Sequence, residues 1–90
     1  MNNELIFNKR SELYSLMIKG PENQKALDYF YDLKILNDQI MLPVQEIIMN
    51  VQKHFRENDQ NLLEQCNDWR EVFRLLERKS FLSKNIIYQK

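Results

Sequence analysis

One glycine and two prolines in ninety residues set the strongest limit on what this chain can fold into. Antiparallel sheets need a Gly-, Pro- or Asn-rich turn about every 8–12 residues, whereas a bundle of helices needs only a few breaks. Gly20 and Pro21 are adjacent and Pro43 stands alone, so the obvious punctuation is confined to two places. The chain therefore predicts an all-α fold, a small antiparallel bundle of three or four helices. An apolar fraction of 43%, with five Phe, four Tyr and one Trp, is enough to give such a bundle a core and argues against disorder.

Ninety residues suit one domain, read here as a single helical unit over 1–90 whose last stretch, 80–90, is an apolar and basic tail. Thirteen acidic residues cancel thirteen basic ones, so no net field draws the protein to nucleic acid or to a membrane surface. Cys66 is the only cysteine and cannot form an intramolecular disulfide, which fits a reducing compartment. No secretory leader pattern and no apolar run of about 20 residues is present. The expectation is a cytoplasmic protein with no membrane partner.

Apolar spacing places a first helix from about Asn3 to Ile18, capped by Asn2 or Asn3. Its apolar face joins Ile6, Leu13 and Met17 to Phe7, Tyr14 and Ile18. Gly20 suits a left-handed helix end and Pro21 the first turn of the next helix, with Glu22 near its positive end. From there a stripe in steps of three and four runs Ala26, Tyr29, Leu33, Leu36, Ile40, Val44, Ile47, Val51, Phe55. It keeps phase across Pro43, which leaves two outcomes: one long helix kinked there, or two helices with Pro43 opening the second. The polar run from Asn58 to Asn61 then supplies capping residues for a last helix reaching about Lys79. Leu62, Cys66, Trp69, Phe73 and Leu76 form its heptad-like stripe.

Few residues offer chemistry. His54 is the only histidine and reads as partly exposed near a helix end, with Glu57 in reach of a local hydrogen bond. A catalytic triad or a zinc site needs more partners than that. Cys66 lies on an apolar stripe and reads as a small core residue. Asp28/Asp32 and Glu64/Asp68/Glu71 are carboxylates at helical spacing, but the Glu-x-x-His pairs of a di-metal bundle are missing. We expect no catalytic residue, no metal site and no cofactor, hence a protein that is not an enzyme.

The feature that points most toward function is a second apolar line. Tyr31, Ile35, Leu42 and Met49, with Leu27 nearby, stand opposite the main stripe of the central segment. A helix apolar on two sides is either central or touches a partner. The tail adds Phe81, Leu82, Ile86, Ile87 and Tyr88, too apolar a set for an idle terminus. We expect Tyr31, Ile35, Leu42, Met49, Phe81, Ile87 and Tyr88 to be contact residues of a protein-binding module, an adaptor, chaperone or immunity-type inhibitor. Its partner would be another protein or a second copy in a homodimer. The alternative is a small nucleic-acid-associated regulator gripping phosphates with Arg70, Arg74, Arg78, Lys79 and Lys84. The acids Glu64, Asp68, Glu71 and Glu77 on the same segment weigh against it, and within-helix pairing such as Arg74–Glu77 is the ordinary fate of these arginines.

Overall fold

The chain breaks more often than its glycine and prolines announce. A computed structural model describes residues 3–81, with side chains from Asn8 onward. Among the described residues five α-helices follow one another: α1 Asn3–Lys19, α2 Ala26–Ile40, α3 Val44–Val51, α4 Glu57–Glu64 and α5 Trp69–Arg78. A 3₁₀ turn, Gln52–His54, follows α3, and no β-strand is present among the described residues. The all-α class stands, while the expected three or four helices become five.

Each break has a local cause. Gly20 ends α1 with φ at 81°, its N–H bonded to the Leu16 carbonyl at 3.1 Å. Pro21 does not open the next helix, contrary to expectation. The Gln24 N–H closes a turn on the Pro21 carbonyl at 2.8 Å, and Glu22 takes a left-handed φ of 55°. The positive end of α2 is faced by Asp28 instead of Glu22.

At Pro43 the chain forms two helices and not one kinked one. Met41 turns left-handed, with φ 68°, and its N–H reaches the Asn37 carbonyl at 2.7 Å. The buried Asn37 amide fixes this turn from both sides: it donates to the Leu42 carbonyl and accepts from the Leu42 N–H, each at 2.9 Å. Leu42 cannot easily be helical before a proline, and Asn37 supplies the partners that the broken ladder leaves open.

The expected long last helix is two helices. Past α4 the Gln65 and Cys66 N–H groups tighten onto the Leu62 and Leu63 carbonyls, and the chain leaves the helix. Asp68 then caps α5 by accepting the Glu71 N–H at 2.9 Å, while the Glu71 carboxylate accepts the Asn67 N–H at 2.6 Å. This is a capping-box pairing displaced by one residue. The heptad-like stripe from Leu62 to Leu76 is therefore split between α4 and α5.

The core runs through all five helices. Leu13, Tyr29, Phe30, Leu33, Ile47, Val51, Phe55, Leu63 and Val72 are completely buried, each large aliphatic or aromatic side chain contributing roughly 1.5–3 kcal/mol by leaving water. Rings interlock at its centre: Phe30 lies edge-to-face on Tyr29 at 5.8 Å and stacks on Phe55 at 6.0 Å. α2 packs against α1 on one side and α5 on the other, and α3 joins α1 to the 3₁₀ turn and α4. The Cα extents of 51 × 27 × 18 Å leave room for two helices in the thin direction, so a helix in such a slab keeps an outward face. No helix among the described residues is long and apolar enough to cross a membrane.

Candidate functional site

The residues that looked most chemical are structural. His54 is buried, not partly exposed, and its Nε2 lies 2.7 Å from the Met17 carbonyl instead of bonding Glu57. Its ring stands edge-on to Tyr29 at 6.5 Å and lies directly under Gly20, where a β-carbon would meet ring atoms at 2.7–2.9 Å. Tyr29 donates its hydroxyl to the Leu16 carbonyl at 2.8 Å, and burial pushes its phenol pKa upward. The two side chains thus serve carbonyls in the last turn of α1, His54 that of Met17 and Tyr29 that of Leu16, which also accepts the Gly20 N–H. Cys66 is buried as expected. Burial, then the charges of Glu71 and Asp68, raise its thiol pKa and disfavour the reactive thiolate. No group of three or more His, Cys, Asp or Glu side chains that could hold a metal ion occurs among the described residues.

The outward side of α2 and α5 is different. The Tyr31 ring stacks on Phe73 with centroids 4.4 Å apart and planes 20° from parallel, and Phe73 stacks on Trp69 at 5.8 Å. Three rings from two helices line the α2–α5 seam and form one row that runs along it. Ile35 stands one turn beyond Tyr31 and is 66% exposed; Tyr31 itself is 43% exposed and Met41 76%. At the end of the row Met41, Leu42, Asp38 and Trp69 border a shallow cleft of about 340 Å³. At the other end Leu27 and Leu76 border a cleft of about 500 Å³, so the two helices run antiparallel.

Of the expected contact residues, Tyr31 and Ile35 belong to this row and Leu42 is half-buried beside it. Met49 is exposed too, but on α3, beyond the turn at Met41–Pro43. The expected second apolar line therefore does not run along one helix. Phe81 is a correction: it is buried edge-on to Phe55 at 6.0 Å and belongs to the protein's own core. Leu82, Lys84, Ile86, Ile87, Tyr88 and Lys90 lie outside the described residues, as do Asn2 and the side chains of Ile6 and Phe7. Ile18, expected on the apolar face of α1, is 69% exposed because it points away from Leu13 and Met17.

Sequence reasoning missed Met41; it placed Trp69 and Phe73 on a core stripe, and both are half-buried against the core while their rings also join the row. The missed signal was Asp68-x-x-Glu71, an N-terminal capping pattern. It starts a new helix at Trp69 and so frees the Trp69/Phe73 side from the phase of Leu62 and Cys66.

Charge borders the row unequally. Arg70, Arg74 and Arg78 are exposed, and none makes an ion pair among the described residues. The expected Arg74–Glu77 pair does not form, and Glu71 is engaged at the helix start by the Asn67 N–H. Arg70 and Arg74 each follow a ring residue by one position, about 100° further round α5. On α2, Asp28 and Asp32 occupy the corresponding outer edge, past Ile35. Across α2 and α5 the order is acid edge, Ile35 and Tyr31, Phe73 and Trp69, then Arg70 and Arg74 with the exposed Glu77 one turn past Phe73. Lys79 is not part of the arginine edge: its Nζ pairs with the buried Asp59 carboxylate at 3.5 Å and lies 5.9 Å from the centre of the Phe81 ring.

Set against known proteins, the chain matches no family model, no curated protein and no solved structure.

Proposed function

We propose that the chain is a non-enzymatic protein-binding module that docks its partner on the aromatic row of α2 and α5. The observation that carries this reading is the Tyr31–Phe73–Trp69 stack, flanked by the exposed Ile35 and Met41. Stacked rings hold one another in place before any partner arrives, so covering them costs little side-chain entropy while removing much apolar area from water. Aromatic and Met side chains in a polar surround are the composition of an interface centre. An adaptor, a chaperone or an inhibitor would each work this way, and in each the protein acts by covering or bridging another surface. Met49 is a second, separate contact point on α3.

The test is retention of a stoichiometric protein partner by the tagged protein from its host, in high salt and after nuclease. Replacing Ile35 and Met41 together with Asp should abolish retention and leave the helical circular dichroism unchanged. Retention by the double variant would remove the row from the reading.

A second reading has one observation in its favour, the exposed arginines without ion pairs among the described residues. A nucleic-acid contact through Arg70, Arg74 and Arg78 predicts binding that falls steeply with salt, as counterion release requires. The balanced net charge and the neighbouring Glu77 rank it lower.

A further inference from the structure

The aromatic row carries the complement of its own edges. On the α2 side lie two carboxylates, Asp28 and Asp32, both exposed. On the α5 side lie Arg70 and Arg74, exposed and without ion pairs among the described residues, with the exposed Glu77 beyond them toward the Leu27–Leu76 end. Near the row, Lys34 pairs with Asp38 at 3.1 Å, whereas Asp32 accepts only from the uncharged Gln24 amide, at 2.7 Å, among the described residues and keeps its charge. A partner of one charge sign would be attracted at one edge and repelled at the other.

We propose that the occupant of this face is a second copy of the chain, docked about a two-fold axis that runs along the α2–α5 seam, parallel to the two helices. The inference rests on the reading of the row as a docking face and names what docks there. Rotation about that axis inverts left and right across the row while bringing ring against ring. Each copy's Asp28/Asp32 edge then meets the other's Arg70/Arg74 edge, and the match is made twice, as an isologous contact requires. A two-fold axis crossing the row would set acid against acid and arginine against arginine, so charge selects one of the two face-to-face arrangements. Guanidinium–carboxylate pairs at the rim fix register and partner choice, while the rings and Ile35 supply the apolar centre.

The size of the face sets the strength. At 1.5 Å per residue α2 is roughly 22 Å long, and two helices side by side are about 20 Å wide. That footprint falls short of the roughly 800 Å² per partner of a standard stable interface. The dimer is therefore one that forms and dissociates with concentration.

The experiment is sedimentation equilibrium of the full chain over a dilution series. The wild type should pass from monomer to dimer with rising concentration, and added salt should shift the curve toward monomer. One variant carries Asp28→Lys and Asp32→Lys, another Arg70→Glu and Arg74→Glu. Each alone meets like charge at both edges and should associate at least tenfold more weakly, with unchanged helical circular dichroism. Mixed in equal amounts, the two should recover association, because every edge again faces its opposite. A wild type that stays monomeric throughout, variants that dimerise as the wild type does, or a mixture that stays monomeric would each overturn the second-copy assignment. If the wild type is monomeric but still retains a protein partner that Ile35→Asp with Met41→Asp releases, the second copy falls and the docking face stands. If that retention is also absent, both fall.

Discussion

Tyr29 and Tyr31 stand two residues apart on α2, the first with its ring sealed in the core and the second with its ring 43% exposed. Tyr29 is bound at its tip: its hydroxyl serves the Leu16 carbonyl, and beside it His54 serves Met17 from a residue 37 positions away. Among the described residues Tyr31 is bound only by its face, stacked on Phe73. The inner site is closed, since a buried donor must find its acceptor and the surrounding backbone fixes where each ring can lie. The outer site makes no such demand. Its rings hold one another in place and still offer their remaining surface to another molecule.

Substitutions on the two sides should separate accordingly, and the largest effect is expected at the closed site. Gly20→Ala adds a β-carbon 2.7 Å from the His54 Nδ1 and forces a left-handed residue at φ 81°. The conformation alone costs about 1–2 kcal/mol. Displacing His54 from Met17 should bring the total loss to roughly 3 kcal/mol or more, read as a fall in the urea midpoint. A midpoint within error of the wild type would show that the ring is not held there.

Asn37→Ala should come next, at about 2 kcal/mol, because it removes both bonds that hold Leu42 at the turn. Faster amide exchange at Leu42 in the variant would locate the loss.

Tyr29→Phe should cost about 1 kcal/mol, since the Leu16 carbonyl keeps its bond from the Gly20 N–H. It carries a pH signature as well. Burial makes the phenol harder to ionise in the folded than in the unfolded chain, where it titrates near its ordinary value of 10.0. Tyr29 therefore contributes its full stabilisation below pH 10.0 and loses it as the pH rises above that value. Unfolding measured from neutral pH to above pH 10.0 should show a shallower decline for Tyr29→Phe than for the wild type. Equal declines would place the phenol in contact with water.

How much of this was legible depends on the distance over which each feature is determined. The all-α class follows from the scarcity of glycine and proline, a property of the whole chain. The left-handed end of α1 follows from Gly20 and could be read in place. The break at Met41 could not, because the residue in the left-handed conformation is a methionine, held by an asparagine four positions earlier. The break before Trp69 was written in Asp68 and Glu71, but an apolar stripe that kept helical phase across the loop masked it. Trp69 and Phe73 still pack against the core as the stripe implied, but past that break their rings also form half of the aromatic row. His54 was beyond local reading altogether, since its partner lies at the far end of another helix. Tyr31 and Ile35 were legible as a second apolar line because α2 is continuous through both. Met49 lay past the turn that ends it.

The comparison between the two sides of α2 is tested most directly by Ile35→Asp, with urea unfolding and sedimentation measured on the same sample. Ile35 is 66% exposed and contributes little to the fold. The expected result is an unfolding free energy within about 0.5 kcal/mol of the wild type, together with loss of the association that the wild type shows. A loss of 2–5 kcal/mol, the range for a truncated core residue, would place Ile35 in the interior and contradict the account.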